Sequence, residues 1–478
     1  MTPSETLVRT VIANNYCIGC GACTAVQESP FETGLNEFGL IEARLKAGQE
    51  SLSARSNTLG VCPFSGASMD ETTLSSEVFS NAPFNSEFLG SYIAAHVGHV
   101  TSPQLRSRAS SGGLVRWIGA TLLRRNSVDY VVHVVPQQPK KSGDPLYQYS
   151  IDTVPEVVMA AARSAYYPVS LSEALAFIRR NEGRYLVTAV PCFAKALRLL
   201  AKQDELFAER ITCIIGLVCG GMKSRAYAEA IGWEQGIEPE ALESIDFRWK
   251  YPDKPAHFKG NAARSSRGEN VLRSSKDLFV TDYGMGFFKP KACDFCDDVL
   301  GELADASVGD AWLPRYILDP RGTSILITRS NELEDVVRGG MANGELHLKP
   351  ISEELVIRSQ SGAFRHRREG LAYRLMKQRE AGAWCPPKRV RPGSSLSLRR
   401  KKVYDLRAEI SARSHVEFLE AKKTGDYGLF KRKLSPLVTA HRRTYGRGAV
   451  VRLFSRGSNL VVSAGVRLAR LLRGVKGA

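Results

Sequence analysis

Eight of the ten cysteines stand where thiolates could act together. Cys17, Cys20 and Cys23 form a C-x2-C-x2-C run within Tyr16-Cys-Ile-Gly-Cys-Gly-Ala-Cys23, and Cys62 follows downstream with Pro63 behind it. Two-residue gaps let one tight loop turn three thiolates toward a common centre, and Gly19 and Gly21 permit the backbone angles this requires. A fourth thiolate supplied from afar completes the ligands of a 4Fe-4S cluster, in bacterial-ferredoxin spacing with the fourth ligand displaced. Four thiolates also suit structural zinc, although zinc sites more often show two separated C-x2-C pairs.

A second set is dispersed. Cys192 follows Pro191 and the apolar run Arg184-Tyr-Leu-Val-Thr-Ala-Val190. Cys219 follows Ile211-Thr-Cys-Ile-Ile-Gly-Leu-Val218 and precedes Gly220-Gly221. Both runs read as buried parallel strands. Each Cys then sits just past a strand's C-terminal end, where open α/β sheets place their sites. Cys293 and Cys296 form a C-x2-C in Lys291-Ala-Cys-Asp-Phe-Cys-Asp-Asp298. These four could hold a second cluster; two buried structural cysteines plus a separate redox or zinc pair is the competing reading. Cys213, inside an apolar run, reads as a small core residue, and Cys385 as incidental.

The elements that must position these residues alternate between strand-like and helix-like runs from about 90 to 350. Tyr130–Val135, Leu186–Val190, Ile211–Val218 and Ser324–Thr328 read as strands; Leu114–Leu123, Ala174–Arg180, Ala194–Leu200 and Ala226–Trp233 read as helices. That is α/β usage, with α+β character where strands and helices are not strictly paired. Ser110-Ser-Gly-Gly113, opening the first of these helices, suits a plain N-cap as well as a phosphate cradle. Gly220 and Gly221 suit either a tight turn or close backbone approach to a cofactor. Phe247-Arg-Trp-Lys250 could contact an anionic cofactor or be an exposed strand with solvated charges. No Ser/His/Asp triad, Walker loop or H-E-x-x-H occurs, so no residue is assigned a catalytic role.

The order of these motifs resembles the beta-subunit family of coenzyme F-420 hydrogenases and dehydrogenases, over roughly residues 15–330. The resemblance rests on the Cys17–Cys23 triple with Cys62-Pro63, then Ser110-Ser-Gly-Gly113 and Ser164-Ala-Tyr-Tyr-Pro-Val-Ser-Leu-Ser-Glu-Ala-Leu175. Val190-Pro-Cys192, Gly216-Leu-Val-Cys-Gly-Gly221, Cys293-x2-Cys296 and Ala304-Asp-Ala-Ser-Val-Gly-Asp-Ala-Trp312 follow in family order. The chain departs at Ala189-Val-Pro-Cys-Phe193, where the family usually has Gly-Thr-Pro-Cys-Gln. The resemblance implies an oxidoreductase with FAD beside two 4Fe-4S clusters, Ser110, Ser111, Gly112, Gly113, Gly220 and Gly221 near the flavin, and the eight cysteines as ligands. It implies electron exchange with reduced ferredoxin or a hydrogenase-type subunit, and with a deazaflavin or organic substrate.

The expected organisation is a ferredoxin-like unit over 1–75, a linker over 76–100, a flavin and cluster domain over 101–385, and a basic tail, helical or disordered, over 386–478. The tail carries 23 Lys and Arg against 5 Asp and Glu, whereas residues 1–385 carry 43 against 44. The net charge of +17 therefore belongs to the tail, and the redox body offers no charge argument for nucleic acid. Apolar residues at helical spacing between arginines over 450–473 suit an anionic membrane surface. Sparse aromatics there weigh against base stacking. The start of the chain lacks a basic segment followed by an apolar one, and the many unpaired-looking cysteines suit a reducing cytoplasm, with peripheral contact at the inner membrane face. Two other readings are a nucleic-acid-binding protein with structural metal sites, and an electron-transfer adaptor without its own substrate.

Overall fold

The computed structural model describes residues 1–48, 56–141, 143–161 and 164–445. Near the N-terminus β1 (Phe31–Leu35) and β2 (Ile41–Leu45) form a hairpin, and β3 (Phe84–Ser86) with β4 (Gly90–Tyr92) forms a short second one. Then come β5 (Ala94–Val100), β6 (Tyr130–Pro136), β7 (Tyr147–Asp152), β8 (Tyr185–Ala189) and β9 (Cys213–Leu217). The meander β10 (Leu242–Lys250), β11 (Lys259–Ser265) and β12 (Asn270–Ser274) stands apart from β13 (Ala306–Asp310), β14 (Ser324–Thr328) and β15 (Leu346–Pro350).

One eight-stranded sheet organises the molecule, in the order β15-β5-β14-β13-β9-β8-β6-β7. Its centre, β13-β9-β8-β6, is parallel, and the flanking pairs are antiparallel. The sequence explains the division. Every residue of β8 and β14 is buried, as expected where both faces of a strand are covered. β15 alternates buried and exposed at the edge. The helices Leu114–Arg124, Ser172–Arg180, Pro191–Gln203 and Arg225–Glu234 match the expected helical runs to within a few residues.

Three expectations about organisation differ from what is seen. The stretch read as a linker carries the end of the helix Glu71–Val78, then β3, β4 and the inner strand β5. Asp70 caps that helix by accepting from the Thr73 N–H at 2.9 Å, a local signal that weak apolar periodicity hid. The N-terminal residues have no separate core: Leu7, Val11, Tyr16 and Phe31 pack in the same apolar cluster as Phe193, Leu197 and Leu200. The basic region is in large part body, not tail. The helices Leu398–Thr424 and Tyr427–Thr444 form a hairpin turned at Gly425, whose left-handed φ of 67° suits a helix C-terminus. Phe418, Phe430, Leu434 and Val438 from it join Phe287 and Phe288 in a second apolar cluster. The segment over 450–473 lies outside the described residues. No helix among the described residues is long and apolar enough to cross a membrane.

Candidate functional site

The first cysteine set is held by contacts that only glycine permits. Gly19 and Gly21 have φ of 66° and 87°. A Cβ on Gly19 would lie 2.5 Å from the Ile41 carbonyl oxygen, and one on Gly21 2.5 Å from Ser172 Oγ. The loop is thus pressed between β2 and the helix Ser172–Arg180. From β2 the Ala43 N–H donates to Cys17 Sγ at 3.3 Å. Cys17, Cys20, Cys23 and Cys62 line one apolar cavity with Leu7, Val11 and Phe64. Burial, then the charge of neighbouring thiols, pushes the Cys23 thiol well above its usual range; burial raises Cys20 to about 12. Among the described residues, no three His, Cys, Asp or Glu side chains are arranged around a single ion.

The second set comes together at the C-terminal ends of two adjacent parallel strands. β8 runs into the helix Pro191–Gln203, which places Cys192 in its first turn. β9 ends at Leu217, two residues before Cys219, and the Cys219 N–H donates to the Val299 carbonyl at 3.1 Å. Cys293 lies in the short turn Lys291–Phe295, and Cys296 closes it. The Met222 N–H donates to Cys293 Sγ at 3.3 Å. The Cys192 thiol is pushed well up by burial, then by the charges of Cys296, Cys219 and Cys293, and last by Cys20. The four thiols therefore share one neighbourhood, and the two sets adjoin through Cys20 and Cys192. Tyr149 lies at this junction, its hydroxyl donating to the Thr188 carbonyl at 3.0 Å. Cys213 stays apart, facing Asp305 and Arg198 as a buried strand residue. Cys385 lies beside Tyr16 and Lys291, at the rim of the first set.

The glycine loops divide in role. At the first, the Ser110 hydroxyl accepts from the Ser164 N–H at 2.6 Å, and Ser111 Oγ donates to the Thr323 carbonyl at 2.9 Å. The Gly112 N–H donates to Ser324 Oγ at 3.0 Å. Those groups are engaged within the protein. The first turn of Leu114–Arg124, entered through left-handed Gly113, has no side-chain cap. Lys250 closes over this loop, donating to the Arg106 and Ser111 carbonyls at 2.9 and 3.2 Å. Phe247–Lys250 is not an exposed strand with solvated charges, since Arg248 is buried against Asp310 and Lys250 is bound to loop carbonyls. At the second loop, a Cβ on Gly220 would meet the Tyr283 ring at 2.8 Å, and Gly221, at φ 138°, faces Lys289 and Cys293. These glycines serve packing around the second cysteine set.

A row of aromatic and charged side chains joins the two loops. Arg248 makes a two-pronged ion pair with Asp310 at 2.8 and 2.9 Å, and Tyr166 adjoins Arg248. The Tyr166 and Tyr283 rings are 5.7 Å apart. Lys223 lies 4.8 Å from the centres of both Tyr227 and Tyr283. Burial, then Lys289, lowers its ammonium to about 7. Sequence reasoning gave Tyr166 only as part of a motif and missed Asp310's partner Arg248 and the cations Arg367 and Lys388, which reach the cysteines from far along the chain.

Residues 95–176 match the N-terminal part, and residues 182–354 the C-terminal part, of the family described as coenzyme F-420 hydrogenase/dehydrogenase, beta subunit. A relative, the coenzyme F-420 hydrogenase subunit beta of Methanothermobacter thermautotrophicus (strain Delta H), is 21% identical over 277 residues, covering 55% of this chain and 87% of the relative. A chain of the xenon-derivatized F-420-reducing [NiFe] hydrogenase complex from Methanosarcina barkeri aligns at a TM-score of 0.47 and 16% identity, covering 65% of this chain and 99% of that one. With both parts of the family matched in order across the central sheet, the chain belongs to the coenzyme F-420 hydrogenase/dehydrogenase beta-subunit family of oxidoreductases.

Proposed function

We propose that the chain is an iron–sulfur flavoprotein relaying electrons between two 4Fe-4S clusters, FAD, and a two-electron carrier such as coenzyme F-420 or an organic substrate. Cys17, Cys20, Cys23 and Cys62 would hold one cluster, and Cys192, Cys219, Cys293 and Cys296 the other. When bound, the clusters carry single electrons and the flavin converts them to hydride. The observation that carries this reading is the adjacency of two four-thiol sets through Cys20 and Cys192, with six of the eight thiols in one apolar region.

The chain's residues then have separable tasks. The thiols anchor, and the apolar lining of Leu7, Val11 and Phe64 keeps water from them. The uncapped turn at Gly113 would take the flavin's pyrophosphate through backbone N–H groups. The ring row of Tyr166 and Tyr283 leads from that turn toward Gly220, beside Cys219. A relative is named as a hydrogenase subunit, so a hydrogenase-type subunit would supply the electrons; reduced ferredoxin would be the other donor.

The test is anaerobic purification with iron, sulfide, zinc and flavin quantified. Roughly eight iron per chain and one flavin are expected. Zinc without flavin overturns the reading. Cys192→Ser should lower iron by about half, whereas Cys213→Ser should leave it unchanged. Equal iron in both variants means the second set is misassigned.

A further inference from the structure

Among the buried cations, Arg367 is set apart by its partners. Lys289 pairs with Asp294 at 2.5 Å, Arg248 with Asp310 at 2.8 Å, and Arg389 with Glu302 at 2.7 Å. Arg367, the last residue of the helix Ser361–Arg367, is 2% exposed. Its Nη2 donates to the Cys219 carbonyl at 3.0 Å. Its Nε and Nη1 have no hydrogen-bond partner, and no carboxylate forms an ion pair with it among the described residues. A guanidinium stays charged in proteins and presents five donors in a fixed fork. Through the Cys219 carbonyl the fork is seated against the second cysteine set, with Cys293, Cys296 and the buried Asp298 as its other charged or chargeable neighbours.

We infer that Arg367 is a positioning residue that offsets the negative charge of a cluster held by Cys192, Cys219, Cys293 and Cys296, and thereby raises that cluster's reduction potential. This rests on the cluster assignment proposed above. The oxidised cluster takes one electron from the reductant and gains one negative charge. A fixed buried cation stabilises the more negative state, and little water is present to screen it. Its free N–H groups point to hydrogen bonds with ligand or cluster sulfur, a known lever on potential. The cation comes from a helix outside the strand ends that carry Cys192 and Cys219, so it can be changed without replacing a ligand, although its bond to the Cys219 carbonyl goes with it.

The experiment compares the wild-type full chain with Arg367→Lys and Arg367→Gln, titrated anaerobically with dithionite and followed by electron paramagnetic resonance. In Arg367→Gln one of the two one-electron transitions should move to lower potential, with the reduced fraction at a fixed potential falling at least tenfold, or 59 mV. The other should move far less, and Arg367→Lys should stay near wild type. Two unmoved transitions in an iron-replete Arg367→Gln overturn the inference, as does an equal shift of both. If Arg367→Gln loses about half its iron while its circular dichroism matches wild type, Arg367→Lys must restore it; iron still absent from Arg367→Lys also overturns charge compensation. A wild-type chain that binds no iron refutes the cluster assignment itself, which is a separate result.

Discussion

Replacing Gly21 by Ala tests whether the first cysteine loop is as tightly determined as its contacts imply. At φ 87° an added methyl group would sit 2.5 Å from Ser172 Oγ and 2.6 Å from the Ser172 backbone nitrogen. The Ser172 hydroxyl has little freedom to turn aside, because it bonds Ser170 Oγ at 2.9 Å and Thr33 Oγ1 at 2.8 Å. The backbone nitrogen cannot move without the helix Ser172–Arg180, which is tied to the same loop by the Leu171 N–H donating to the Cys20 carbonyl at 3.1 Å. The left-handed conformation costs a non-glycine residue about 1–2 kcal/mol. Forcing a methyl group into a packed site costs about 1–3 kcal/mol more. The sum, about 2–5 kcal/mol, falls on the loop between Cys20 and Cys23. Gly48→Ala is the control: φ is also left-handed there, at 76°, but among the described residues no atom beyond its chain neighbours lies within 4 Å of the added carbon. It should show only the torsional cost and full iron. Chemical denaturation of the apo-protein and iron per chain of the loaded protein measure both. Gly21→Ala should lose about half its iron. A Gly21→Ala protein that matches Gly48→Ala in stability and retains its iron would refute this account of the loop.

Other perturbations follow from the same contacts. Phe418 is 1% exposed and meets Phe288 and Phe430 at 5.4 and 5.6 Å, so Phe418→Ala should cost about 3–5 kcal/mol in denaturant unfolding. A cost below about 1 kcal/mol would return the hairpin to the status of an appendage. Arg389→Ala leaves Glu302 buried without its cation and Asp297 with only Lys388 at 3.8 Å, and should cost about 3–5 kcal/mol in the same assay. Burial holds the His415 imidazole neutral in the folded chain down to about 4, whereas the unfolded chain takes up a proton near 6.5. Stability should therefore fall as pH drops from 6.5 toward 4, by about 3 kcal/mol, and His415→Gln should show a shallower fall; equal slopes would contradict it. A chain ending at 445 should lose flotation with anionic vesicles relative to the full chain; equal flotation would remove the membrane expectation for 450–473.

Much of this was legible in the sequence where a local pattern dictates local structure. The runs around β8, β9 and β14 are continuous and apolar because both faces of those strands are covered. Their ends gave Cys192 and Cys219 a common edge of the sheet. The helix Glu71–Val78 was hidden because only Leu74 among its apolar residues is buried, so no stripe shows. The hairpin Leu398–Thr424 and Tyr427–Thr444 was hidden by composition. Val403, Leu406, Ile410, Phe418 and Ala421 are buried at helical spacing, yet a high density of Lys and Arg between them masks the stripe in any regional average. Arg367 could not have been found at all, because its relation to Cys219 spans 148 residues and has no spacing signature.

The turn carrying Cys293 and Cys296 shows why the two ends of the chain belong to the site. The turn is short and irregular, and it is adjacent to a stretch without long helices or strands, so its own backbone fixes little. Remote segments fix it instead. Tyr16, next to Cys17, packs edge-on against Phe295 at 5.1 Å, and Lys291 donates to the Asn14 carbonyl at 3.0 Å. Ser411, in the C-terminal hairpin, donates to the Lys289 carbonyl at 2.7 Å, and Ser414 accepts from the Phe288 N–H at 2.8 Å. Arg374 donates to the Asp294 carbonyl at 2.8 Å, and the Arg389 N–H donates to Asp297 at 3.1 Å. A loop made rigid by its surroundings holds its thiols in place. The N-terminal cysteine segment and the basic C-terminal region therefore brace the second cysteine pair from opposite ends of the sequence. Removing either end should loosen Cys293 and Cys296 even though neither cysteine is deleted.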